Sequence, residues 1–171
     1  MSVILETKSL QKYFKTPRGY LHAVENVSLK INKGETLGVV GESGCGKSTL
    51  GRTILHLLEP TGGQIFFDGQ DITNIKGAKL KALRKQMQII FQDPFSSLNP
   101  RMTVGQIIGE PLRIFHATKS KDEYNSRVAE LMDMVGLAQR NINSYPHEFD
   151  GGRRQRIGIA RALSRPELHS V

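Results

Sequence analysis

The chain has 171 residues, 38% of them hydrophobic, with 24 basic and 16 acidic side chains and a formal net charge of +8. That length can bury a core without metal or disulfide staples, and the single cysteine, Cys45, excludes an internal disulfide framework. No apolar run approaches the roughly 18 residues of a membrane-spanning helix, and residues 1–6 lack a signal-peptide pattern, so the expectation is one soluble domain that stays in the reducing compartment where it is made.

Val27, Leu29 and Ile31 alternate with polar neighbours, which predicts a half-buried antiparallel strand turning at Asn32-Lys33-Gly34. Residues 36–40 are almost continuously apolar, the pattern of a strand buried on both faces, and they run into a glycine cluster. From Lys47 the period becomes helical, with Leu50, Ile54, Leu57 and Leu58 on one face and Pro60 closing the segment. Two further strands are predicted at 64–68 and 87–91, separated by a basic helical stretch at 80–85. Beyond Gln92-Asp93-Pro94 strands cease. Val128, Leu131, Met132 and Val135 lie at i, i+3, i+4 and i+7, and 153–163 forms a second helix candidate opened by Gly151-Gly152.

Gly41-Glu42-Ser43-Gly44-Cys45-Gly46-Lys47-Ser48 satisfies G-x-x-x-x-G-K-[ST] between the predicted strand and helix, the context that makes this pattern a phosphate loop. Glycines let backbone N–H groups turn inward around a polyphosphate, and the helix start near Lys47 adds its positive dipole end. The Lys47 ammonium can reach β and γ phosphates, and the Ser48 hydroxyl can ligate Mg²⁺, with Thr49 next in the helix. Cys45 sits in a variable slot of the loop and receives no catalytic role. A phosphate loop alone serves GTPases, kinases, RecA-like motors and transporter ATPases equally.

Four further segments resemble the ATP-binding subunits of ABC transporters. Phe91-Gln92-Asp93-Pro94 is similar to the Q-loop, which implies that Gln92 reaches the Mg²⁺ and senses the γ-phosphate. Residues 149–163, with Asp150-Gly151-Gly152-Arg153 in place of the usual S-G-G-Q, resemble the signature segment and its helix. Tyr13 lies where the family carries an aromatic that stacks on adenine, although taken alone Tyr13 or Phe14 is more often ordinary core. Residues 96–105, Glu110-Pro111-Leu112 and Tyr145-Pro146-His147-Glu148 resemble the oligopeptide and dipeptide importer branch, which also contains nickel importers. The resemblance runs from Leu5 to about Leu168.

The resemblance implies an α/β P-loop NTPase of ABC type with an N-terminal antiparallel β subdomain, an incomplete RecA-like core and an α-helical subdomain. Residues 1–94 would hold the β subdomain and the phosphate-loop part of the core, 95–163 the helical subdomain with the signature, and 164–171 an aberrant tail. It further implies ATP and Mg²⁺ as cofactors, with Tyr13, Gly41, Glu42, Ser43, Gly44, Cys45, Gly46, Lys47, Ser48, Thr49 and Gln92 around the nucleotide and Ser48 and Gln92 toward the metal. The implied partners are a second ATPase subunit, head to tail across the signature, and transmembrane permease subunits. The implied location is cytoplasmic, on the inner face of the cell membrane.

The family continues into an apolar strand ending in Asp-Glu and then a switch histidine, and neither follows the signature helix in these 171 residues. His169 comes too early to be that histidine. The expectation is therefore a chain cut short by a frameshift, a premature stop or a misjoined gene fragment, with no catalytic residue for hydrolysis and with apolar strand edges left open. Asp150 in place of the usual serine predicts repulsion of a γ-phosphate, offset in part by Arg153 or Arg154, and hence weak ATP-driven dimerisation. Two other readings are a nonhydrolysing module that binds nucleotide or interferes with a complete partner, and a nucleic-acid-associated ATPase suggested by charge alone. The marks of the last would be long coiled-coil insertions or aromatic stacking platforms among the basic residues; neither is visible, and no nucleic acid is expected as a partner.

Overall fold

The computed structural model describes residues 2–164, apart from the side chain of Pro94. The tail expected to be aberrant, residues 164–171, lies outside the described residues from 165 onward. The chain divides into two compact units between Met87 and Gln88.

The first unit is built on an antiparallel sheet. Strand β1 (Val3–Thr16) and strand β2 (Gly19–Asn32) form a long hairpin, and β3 (Gly62–Phe67) and β4 (Gln70–Asp71) complete the order β2-β1-β3-β4. Helix α1 (Lys47–Ile54) packs on β1 and β2, and the short α2 (Gly77–Leu83) follows β4. Leu5, Leu10, Val24, Leu50, Ile54, Ile65, Ile72 and Leu83 form one buried cluster, so the inward positions of the strands meet the inward face of α1.

Two predicted strands do not form. Residues 36–40 and 87–91 carry no strand assignment and neither belongs to the sheet. Apolarity marks a segment that can be buried, but a strand exists only as one side of a ladder of hydrogen bonds. Outside such a ladder Leu37, Val39 and Val40 are exposed, Val40 by 93%. The helix predicted from Lys47 is also shorter than its apolar period. It stops at Ile54, His56 adopts a left-handed φ of 53°, and Leu57 points to solvent. β1 carries bulges and a mixed burial pattern rather than clean alternation, and the sequence reading passed it over.

The second unit is helical. It comprises α3 (Pro94–Ser97), α4 (Val104–Ile114), α5 (Lys121–Met134), 3₁₀ turns at Gln139–Asn141 and Pro146–Glu148, and α6 (Gly151–Leu163). Each long helix begins on a chemically suited cap. Thr103 and Gln106 form a capping box on α4, Ser120 accepts from the Glu123 N–H at 3.1 Å on α5, and Asp150 accepts from the Arg153 N–H at 2.8 Å on α6. Val104, Ile107, Ile108 and Leu112 of α4 meet Val128, Leu131 and Met132 of α5 and Ile157 and Ala160 of α6 in a second buried cluster. Among the described residues no helix is long and apolar enough to cross a membrane.

Candidate functional site

The phosphate-loop segment is the turn that delivers α1. Gly44 and Gly46 take left-handed φ values of 83° and 95°, open to glycine at no steric cost and strained for L side chains. A Cβ on Gly46 would also overlap the carbonyl oxygen of Ala23 on β2, so the loop passes against the strand at this residue. Ala23 is the extra residue of a β2 bulge, since the register steps from Lys12 opposite Val24 to Tyr13 opposite His22.

Gly46 is the N-cap of α1 and offers no side-chain acceptor to the first helical N–H groups. The Lys47 ammonium folds back over the loop and donates to the carbonyls of Gly41 at 2.8 Å and Glu42 at 2.6 Å, with the Cys45 sulfur at 3.6 Å. The side chains of residues 41–45 and Ser48 are exposed, so a cation, a helix start and a hydroxyl share one accessible turn. Thr49 is half-buried and its carbonyl accepts from the Thr53 hydroxyl at 2.7 Å. Among the described residues no group of three or more His, Cys, Asp or Glu could hold a metal. A divalent ion that meets a single protein hydroxyl here would be carried by the phosphates it accompanies, which is how Mg²⁺ usually enters such sites.

Tyr13 is not core. Its ring stacks on His22 with centroids 3.9 Å apart and an interplanar angle of 13°, and its hydroxyl donates to Glu25 Oε1 at 2.8 Å. His22 Nδ1 lies 2.8 Å from the other oxygen of the same carboxylate. The Thr61 hydroxyl receives the Tyr13 backbone N–H at 3.1 Å. The hydrogen bond to Glu25 holds the Tyr13 hydroxyl above its ordinary pKa, so the ring is a neutral phenol at any physiological pH.

Gln92, Asp150, Gly151, Gly152 and Arg153 belong to the second unit. Gln92 is exposed just ahead of α3, where Asp93 Oδ1 caps the turn by accepting from the Phe95 N–H at 2.9 Å. That bond, with help from Ser96, holds the Asp93 carboxyl below the ordinary carboxylate range. α6 grips this segment along its length: the Arg154 guanidinium lies 4.1 Å from the Phe95 ring centroid, Gln155 donates to the Phe91 carbonyl at 3.4 Å and Arg161 to the Ser97 carbonyl at 2.8 Å. Arg154 also donates to Pro146 O at 2.7 Å, tying in the turn before the signature. The Q-loop candidate and the signature candidate are thus two parts of one packed unit. These tethers, like His22 and Glu25 beside Tyr13, were missed by the sequence reading because their partners are backbone carbonyls or cross-strand residues that local patterning does not pair.

Gly151 and Gly152 form the first turn of α6, and Asp150 is its cap rather than a bare charge. Its carboxylate takes the Arg153 N–H and lies 3.4 Å from the Arg153 Nε, and the backbone bond above all holds its pKa down. A depressed carboxyl pKa stabilises the folded form above the unfolded pKa of about 3.9 and loses that contribution as pH falls through the folded value. α6 is therefore expected to fray at its N-terminus in acid. Asp150→Ser, which keeps a cap acceptor, should leave amide exchange in the first turn nearly unchanged at neutral pH, and Asp150→Ala should speed it.

A family model described as ABC transporter matches residues 24–168. The oligopeptide transport ATP-binding protein OppF of Bacillus subtilis is 55% identical over 162 residues, covering 94% of this chain and 53% of the relative. OppF of Escherichia coli is 50% identical over 163 residues, covering 95% and 49%. The chain thus spans about half the length of the curated relatives it matches. Among solved structures, the dimeric post-hydrolysis state of the ATP-binding cassette MJ0796 bound to ADP and Pi is similar at 30% identity and a TM-score of 0.86, over 95% of this chain and 70% of that one. The structure of cbiO1 from Clostridium perfringens, part of a transporter complex, is similar at 27% identity and a TM-score of 0.75, over 96% and 62%. The architecture is the α/β one expected of an ABC cassette, present in part.

Proposed function

This chain belongs to the ABC transporter family, and on that premise we propose that it forms the nucleotide-binding part of an energy-coupling subunit that serves a peptide importer. The observation that carries the reading is the turn at Gly46-Lys47: an ammonium held over left-handed glycines at a helix start, in an exposed loop seated against β2. A triphosphate would accept from the Lys47 ammonium in place of the Gly41 and Glu42 carbonyls, exchanging neutral acceptors for charged ones that pair more strongly with a cation. Ser48 would ligate the accompanying Mg²⁺, Tyr13 would take the adenine ring, and Gln92 would report the γ-phosphate.

Peptide transport rests on the identity of 50–55% to the OppF proteins. Pairing with a second ATPase through Asp150, Gly151, Gly152 and Arg153 rests on the motif and on the dimeric cassettes that resemble this chain. The Asp150 cap presents a carboxylate to the facing nucleotide, so that pairing is weak. Permease subunits would dock on the helical unit, at the cytoplasmic face of a membrane.

These 171 residues bind Mg-ATP without turning it over, because no Asp-Glu pair follows the signature helix to position Mg²⁺ and polarise water. Titration with a fluorescent ATP analogue, with phosphate release followed in the same sample, tests both halves. Lys47→Ala is expected to weaken binding by about 10- to 100-fold, the loss of one charge-assisted contact of ~1.5–3 kcal/mol. Equal binding by the variant would overturn the nucleotide reading, and phosphate release that Lys47→Ala abolishes would overturn the claim of binding without turnover.

A further inference from the structure

Beyond the adenine-stacking role proposed for Tyr13, the hairpin places two further side chains on that ring. Tyr13 and His22 are directly opposed in the β1–β2 register, the position in which cross-strand side chains pack most closely. Their rings lie parallel at 3.9 Å, and Glu25 receives the Tyr13 hydroxyl at 2.8 Å on one oxygen and faces His22 Nδ1 at 2.8 Å on the other. One carboxylate thus fixes both rings in their planes, and each ring covers one face of its neighbour. The next residue of β2, Ala23, is the bulge whose carbonyl lies against Gly46, so the strand that carries His22 passes against the phosphate-loop turn one residue on.

We propose that His22 and Glu25 are positioning residues for base binding: they hold the Tyr13 ring at a fixed angle beside the phosphate loop, and a purine takes the ring pair's open side. An unsupported tyrosine on an exposed hairpin would be immobilised by the ligand at an entropic cost, whereas a ring already clamped on one face and at its hydroxyl is preorganised. His22 occupies the remaining face, so the base adds to a stack rather than inserting into one: rings at van der Waals separation leave no gap for a third.

The inference rests on the nucleotide reading, and inorganic tripolyphosphate, which has the phosphate chain of ATP without its base, separates the two. In competition against a fluorescent ATP analogue, His22→Ala is expected to weaken Mg-ATP by about three- to tenfold, the range an aromatic pair supports, and to leave tripolyphosphate unchanged. His22→Phe, which keeps the stacked ring, is expected to restore most of the ATP affinity, while Glu25→Ala should weaken ATP selectively as His22→Ala does. Equal weakening of ATP and tripolyphosphate would show a structural effect on the loop and overturn the inference. Unchanged or tighter ATP binding by His22→Ala would overturn it too, the tighter case marking His22 as an occupant that the base displaces. No ATP or tripolyphosphate binding by the unsubstituted chain would overturn the nucleotide reading and this inference with it.

Discussion

Gly46→Ala is expected to abolish measurable Mg-ATP binding, a loss of more than about 100-fold, in a chain that keeps its sheet. Two effects act at one atom. Gly46 has φ 95° and ψ 1°, a left-handed conformation that costs an L residue roughly 1–2 kcal/mol. The added methyl also meets the Ala23 carbonyl oxygen, a backbone atom between the paired residues His22 and Val24 of β2 that cannot rotate aside. Relief requires the turn to move away from β2, taking with it the start of α1 and the Lys47 ammonium, and a site of phosphate-recognising N–H groups tolerates little displacement. Gly51→Ala is the matched control. It makes the same chemical change five residues further on, inside α1, with nothing within 4 Å of the new methyl. There alanine should leave ATP affinity intact and stabilise the helix by about 0.5–1 kcal/mol. Analogue titration and far-ultraviolet circular dichroism on both variants check the pair. Equal ATP affinity in Gly46→Ala and the unsubstituted chain would mean that contact with β2 does not set the loop.

Leu131→Ala is expected to destabilise the helical unit by about 2–5 kcal/mol. Leu131 is fully buried on α5, in the cluster that joins Ile107 and Ile108 of α4 to Ile157 and Ala160 of α6. Truncation removes apolar contacts and leaves a cavity that three capped helices cannot easily close. Against a total stability of about 5–15 kcal/mol for an ordinary domain, that loss is large. Amide exchange across Val104–Ile114 and Gly151–Leu163 should accelerate strongly, and Met134→Ala, at a side chain 61% exposed, should leave it unchanged. Because α6 also grips Phe91 and Ser97 through Gln155 and Arg161, exchange at 95–97 should rise along with the helices. Protection that survives Leu131→Ala throughout α4 and α6 would mean that the helices draw their stability from elsewhere than this cluster.

The phosphate loop, the helix after it, the β2 strand, the α5 face and the signature helix were all legible in the sequence. Each depends on local chemistry: glycines where φ turns positive and an apolar period of 3.6 or 2, whereas the caps at Ser120 and Asp150 emerged from the structure. The family too was legible, because its motifs are short and contiguous.

What local chemistry could not decide was every feature that needs a partner distant in the chain. Residues 36–40 and 87–91 have strand composition and form no strand, since pairing supplies the hydrogen bonds that composition does not. Pairing gives β1 its place between β2 and β3, and its bulged register obscured the alternation that would have announced it. That same register, and nothing in the local sequence, sets Tyr13 against His22 and Glu25 and brings Ala23 to Gly46. The candidate binding residues are therefore written in the sequence as motifs, while the residues packed against them are chosen by contacts between segments, whose geometry arises only when the chain has folded.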